Sequence, residues 1–206
     1  MKEIRDMEVR PGSAASGGTL SWRGRRYRCA LGRGGVRDDK AEGDGASPAG
    51  RFFLRRVFYR DDWISRPDTG LPVREISPRD GWCDDPGHAD YNRLITLAAE
   101  TRHEKLWRDD HLYDLLVEIG HNDDPPRAGL GSAIFIHVAA QDFTPTEGCV
   151  AITLKDLLAI LRDCDAGTAI RIHKNLRSGA EDGGAEADKS SAEGYGFSVI
   201  GAHSHA

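Results

Sequence analysis

Apolar residues recur at every second position in several parts of this chain and at helical spacing in one. Leu115, Val117 and Ile119 alternate behind Tyr113, Ile134, Ile136 and Val138 alternate further on, and Ile170 and Ile172 do so near the end. These runs predict strands over 111–120, 133–138 and 168–173. Residues 19–23 and 25–31 are also β-like and break at Gly24, which suggests a hairpin, and a strand over 51–60 supplies Phe52, Leu54, Val57, Phe58 and Tyr59 to a core. The helical pattern is Leu154, Leu157, Leu158 and Leu161, which predicts a helix over about 154–163. Thr153 can cap its first turn with Asp156 three residues on, and Gly167 follows its end. Short strands with one helix imply a mainly β fold, a compact sandwich or barrel, and argue against a doubly wound sheet.

A length of 206 residues fits one domain. Residues 1–18, which end in a Gly- and Ser-rich stretch, are expected to be a flexible lead, 19–175 the domain, and 176–206 a disordered tail of Gly, Ala, Ser, Asp and Glu. Within the domain, 61–110 is irregular but carries Trp63, Trp82, Tyr91 and Trp107, so an ordered loop insertion is expected there. Hydrophobic residues make up 39% and the net charge is -5, which suits a soluble globular protein and not a nucleic-acid binder. Arg23, Arg25, Arg26 and Arg28 read as a solvated strand face. No stretch is apolar enough to span a membrane. The first ten residues include acidic ones and lack an apolar run, unlike a secretory leader, and on their own predict a cytosolic protein.

Of the eight histidines, His103 with Glu104 begins a zinc-protease pattern, but Trp107 stands where the second histidine belongs. His103 and His111 are too far apart for one helical face, and His203 and His205 fall in the expected tail. No metal or other cofactor is implied. Four cysteines, Cys29, Cys83, Cys149 and Cys164, form no CxxC pair, and Cys29, Cys83 and Cys164 read as small buried hydrophobes.

Cys149 differs in its setting. A thiol becomes a strong nucleophile only on losing its proton, so it needs a base at hand. Gly148 before it lets the backbone turn tightly and expose amides in a loop ahead of the helix. His137 ends a strand twelve residues earlier, and the loop 139–147 is long enough to bring the two together.

Ile136-His137-Val138 followed by Thr146-Glu147-Gly148-Cys149-Val150 resembles the signature of the YkuD-type L,D-transpeptidase catalytic domain, an Ile-His ahead of a Ser/Thr-x-Gly-Cys turn. Ser47-Pro48-Ala49-Gly50-Arg51-Phe52 is similar to that family's Thr-Pro-x-Gly-x-Phe strand entry, and Gly131 to His137 to the strand that delivers its histidine. The resemblance runs from about Leu20 to His173 and implies a YkuD-type β-sandwich or barrel. It makes Cys149 the nucleophile, His137 the general base and Val138 the residue whose backbone carbonyl orients the imidazole. Amides of Gly148 and Cys149 would form an oxyanion hole, and Thr146 would shape the turn or touch substrate. Where the family commonly has Arg, this chain has Ala151, so Arg93 or Arg127 is a candidate anchor for a substrate carboxylate. Trp82 and Tyr91 either wall a substrate groove or pack beneath the insertion, and His121 and Asn122 either approach the pocket or make structural hydrogen bonds.

The implied reaction transfers the acyl part of a peptidoglycan stem tetrapeptide to Cys149 and expels the terminal D-alanine. An amine of a second stem then forms a cross-link, or water completes a carboxypeptidase reaction. The family implies the periplasm or cell envelope, against the cytosolic reading of the first residues. Two rivals are a cysteine peptidase or amidase with another substrate and a wall-binding module without activity.

Overall fold

The computed structural model describes residues 6–97 and 102–174. Its first strands are β1 (Asp6–Pro11), β2 (Gly17–Trp22), β3 (Arg25–Ala30), the two-residue β4 (Val36–Arg37) and β5 (Ser47–Pro48), and the long β6 (Gly50–Tyr59). Next come β7 (Val73–Glu75), β8 (Asp80–Cys83), β9 (Leu94–Thr96), β10 (His103–Lys105), β11 (Leu115–Ile119), β12 (Phe135–Val138) and β13 (Val150–Ile152). The helix α1 (Leu154–Leu161) and β14 (Ala169–Ile172) complete the order.

Nine strands join in the order β11, β12, β13, β3, β2, β1, β14, β6, β7, and β11 pairs again with β6. That second pairing closes the sheet on itself as a barrel, with β7 attached outside the ring. The expected mainly β fold is what the chain adopts. The hairpin at Gly24 is present, with Trp22 opposite Arg25. Thr153 caps α1 by accepting from the Asp156 N–H at 3.2 Å, and Leu157, Ile160 and Leu161 are buried.

Two boundaries differ from the sequence reading. Residues 6–11, placed in a flexible lead, form β1, which pairs in parallel with β14 and antiparallel with β2. Met7 and Val9 are fully buried there, and two apolar positions between charges give too short an alternation to stand out. The insertion is more than a loop, because β8, β9 and β10 form a separate three-stranded antiparallel sheet. Its strands are only three or four residues long, below the length at which a period becomes visible. The expected tail, 176–206, lies outside the described residues.

The strand period sorts apolar side chains into two clusters. Val57, Leu115, Val117, Ile136, Val150 and Ile152 belong to the larger one with the helix residues Leu157, Ile160 and Leu161. Phe58, Leu116, Phe135 and Cys149 point the other way and meet Trp82, Ile76 and Leu106 of the insertion. One wall of the barrel is therefore covered on its outer side, and the candidate residues His137 and Cys149 lie on that side.

Candidate active site

Strands β12 and β13 run parallel, with Ile136 opposite Val150 and His137 opposite Ala151. Ile136 and Val150 enter the larger core, so Phe135, His137, Cys149 and Ala151 share the opposite face. There His137, Cys149 and Ala151 line a cleft of about 520 Å³, a volume suited to a small ligand. Lys40 and Glu42 on the loop before β5, Asp84, Arg102, Glu104 and Arg108 of the insertion, and Thr146 and Glu147 line it as well.

The expected dyad is thus brought to one face, but its members are deeply set. Cys149 sits in the loop ahead of β13 as expected, but it is 6% exposed and packs in a buried apolar cluster. Its Sγ accepts from the Phe135 N–H at 3.4 Å and donates to the Ala133 carbonyl at 3.3 Å. Burial pushes the thiol up to about 12, the nearby Glu104 carboxyl adds to the rise, and the Phe135 N–H opposes it. Burial likewise lowers His137 to about 4, against the hydrogen bond to Val138. At neutral pH both groups are uncharged. Among the described residues, no hydrogen bond joins them.

His137 Nδ1 lies 2.9 Å from the Val138 carbonyl oxygen. A neutral imidazole must donate there, which leaves Nε2 as the acceptor. The Tyr113 ring meets the imidazole edge-on with centroids 5.2 Å apart.

The turn before Cys149 is built around Thr146. Its hydroxyl accepts from the Gly148 N–H at 3.2 Å, so that amide, expected at an oxyanion, is engaged inside the turn. Gly148 has φ +139°, and a Cβ there would lie 2.8 Å from the Ala46 carbonyl oxygen, so glycine is required for both conformation and space.

Of the other anticipated residues, Thr146 lines the cleft and six do not. Trp82 packs edge-on against Phe135 with centroids 5.1 Å apart, and its Nε1 donates to Asn92 Oδ1 at 2.9 Å. Tyr91 is buried with its hydroxyl on Glu42. Arg93 is exposed outside the cleft, and its carbonyl accepts from the Cys83 N–H. His121 Nε2 bonds the Leu130 carbonyl at 2.9 Å, and Asn122 Nδ2 donates to the carbonyls of Arg127 and Gly131. These two hold a turn. Arg127 is exposed and outside the cleft, so neither candidate substitute for the arginine absent at Ala151 is placed to serve.

The cleft instead takes its cations from Lys40, Arg102 and Arg108, which the sequence reading missed. Lys40 is held by Asp44 at 2.5 Å, Arg102 by Asp84 at 3.2 Å, and Arg108 by Asp110 while lying over the Tyr113 ring at 4.9 Å. Residues so far apart in the chain carry no common local pattern. All four cysteines are free and buried. Among the described residues, no group of three or more His, Cys, Asp or Glu could hold a metal ion, and no helix is long and apolar enough to cross a membrane.

Comparison with known proteins gives three results. The model of the YkuD family, the L,D-transpeptidase catalytic domain, matches residues 16–172. No curated protein matches. The chain is similar to the crystal structure of Mycobacterium tuberculosis L,D-transpeptidase 1, with 14% identity and a TM-score of 0.32, over 81% of this chain and 61% of that one. Such a likeness carries no argument about function, and the chain spans less than two thirds of that structure. The family match covers most of the chain and takes in both Cys149 and His137, and on it the chain belongs to the YkuD family of L,D-transpeptidase catalytic domains.

Proposed function

We propose that the protein is a cysteine acyltransferase of the L,D-transpeptidase type acting on peptidoglycan stem tetrapeptides, with Cys149 as nucleophile and His137 as general base. The observation that carries this reading is the placement of the two on one sheet face, inside one cleft, with His137 Nδ1 tied to the Val138 carbonyl.

The pair starts neutral. A rotation about the Cys149 side chain takes Sγ away from the Ala133 carbonyl and toward Nε2. As Sγ attacks the carbonyl carbon before the terminal D-alanine, the thiol proton passes to Nε2 and a C–S bond forms. The carbonyl oxygen becomes an oxyanion against the amides of the 146–149 turn, and the Gly148 amide reaches it on giving up its bond to Thr146. On collapse the C–N bond breaks, the imidazolium protonates the leaving amine, and a thioester remains on Cys149. An amine of a second stem then gives a cross-link, or water gives a shortened stem. The cell envelope is the matching place of action.

Incubation with a stem tetrapeptide tests the reading by mass spectrometry. Release of D-alanine is expected, with a thioester mapping to Cys149. Absence of any Cys149 adduct, with binding of the peptide retained, would favour a wall-binding module, and acylation by unrelated peptides alone a peptidase or amidase.

A further inference from the structure

A half-buried carboxyl and a buried tyrosine beside the dyad have no part in that mechanism. Glu104, on β10 of the insertion sheet, accepts a hydrogen bond from the Tyr113 hydroxyl. Tyr113 is 5% exposed, stands just before β11, and puts its ring against both His137 and Phe135. Both members of the pair line the cleft that holds Cys149. The short insertion strand thus reaches the dyad through one tyrosine.

We propose that Glu104 and Tyr113 are positioning residues for the dyad, Tyr113 walling the imidazole of His137 and Glu104 holding a carboxyl beside the Cys149 thiol. Two constraints then fix the ring, the Val138 carbonyl at Nδ1 and the Tyr113 ring at its side. The carboxyl does a different job. A negative charge near sulfur disfavours the thiolate, so the nucleophile stays protonated until it meets a carbonyl.

Charged and titratable groups line the dyad's cleft from several segments: Lys40 and Glu42 before β5, Asp84 after β8, Arg102, Glu104 and Arg108 on and around β10, Tyr113 before β11 and Glu147 in the turn before Cys149, while Asp110 acts on His137. Lys40 and Arg108 favour the thiolate, and Glu104 opposes it more strongly than either cation assists. Burial raises Glu104 above the usual carboxylate range, and the Tyr113 hydroxyl pulls it back down. The hydroxyl bond therefore favours the charged form of Glu104.

The inference rests on Cys149 being the nucleophile, but its test needs no peptidoglycan. Iodoacetamide labelling of the full chain, followed across neutral and alkaline pH with peptide mapping of Cys149, reads thiolate formation directly. Glu104→Gln keeps a hydrogen-bond acceptor for Tyr113 and removes the charge, so labelling of Cys149 should speed up by about threefold or more. Tyr113→Phe keeps the ring and frees Glu104 to hold its proton, so it should move the profile in the same direction by less. A scaffold role alone would lower the melting temperature of both variants and leave the profile of the folded protein where the wild type has it, and that result overturns the proposal. Should Glu104→Gln fail to fold, the profile of Tyr113→Phe decides. Failure of tetrapeptide acylation with these shifts present would count against the substrate reading and leave this inference standing.

Discussion

The hydroxyl of Thr146 donates to the carbonyl oxygen of Cys149 at 2.7 Å, closing a turn onto the residue that carries the thiol. The Thr146 hydroxyl oxygen in turn accepts from the Gly148 N–H, so one side chain bonds two buried backbone groups. Thr146→Val keeps the shape but leaves the Gly148 N–H without that acceptor and the Cys149 carbonyl with the longer 3.4 Å bond from the Ser47 hydroxyl, which should cost about 1 to 3 kcal/mol in urea unfolding and reduce acylation. Thr146→Ser should restore most of each. Equal stability of Thr146→Val and wild type would show that water replaces the hydroxyl.

Gly148→Ala tests the turn from the backbone side. The added methyl meets the Ala46 carbonyl at a conformation that L residues avoid. A loss of about 2 kcal/mol or more is expected in the unfolding midpoint, together with loss of acylation.

Cys149→Ala should abolish acylation by the donor peptide in intact-mass measurement. Because Sγ is buried and bonded to Phe135 and Ala133, the variant should also lose about 1 kcal/mol of stability. Alanine at Cys29, Cys83 or Cys164 should lower stability and leave acylation unchanged, since these thiols are buried elsewhere. Acylation surviving in Cys149→Ala would assign the chemistry to another residue.

His137 links stability to pH and, as the proposed base, acylation as well. The folded ring titrates at about 4, and an unfolded one near 6.5. Between these values the unfolded chain binds more protons, so stability falls as pH drops through that window, by about 3 kcal/mol from this residue when complete. His137→Gln should flatten that part of the curve in urea unfolding at a series of pH values. Acylation by the wild type should keep its base neutral down to about pH 4, and an acid limb near the ordinary histidine value would contradict the burial of the ring.

The candidate site was legible in the sequence where it is local. His137 is held by its own neighbour Val138, and Cys149 follows an obligatory glycine, so a short motif contains most of their geometry. The alternation of Ile134, Ile136 and Val138 likewise announced β12, and the leucine stripe announced α1. What stayed hidden depends on distant segments. Trp82 and Tyr91 were visible as aromatic residues, but only the folded insertion shows that they pack and bond inward to Phe135, Asn92 and Glu42. Lys40, Glu104, Arg108 and Tyr113 come from separate stretches and meet only because the insertion sheet folds over the outer face of β11 and β12.

The seam between β1 and β14 joins Asp6 to Ala169, so the earliest made of the described strands waits for the latest. Until β14 emerges, β1 and the first half of β6 each present a bare edge of main-chain donors and acceptors, since β14 is the strand that lies between them. A nascent or partly unfolded chain is open to unwanted pairing along that slit, and a four-residue strand near the end of the domain is what shuts it.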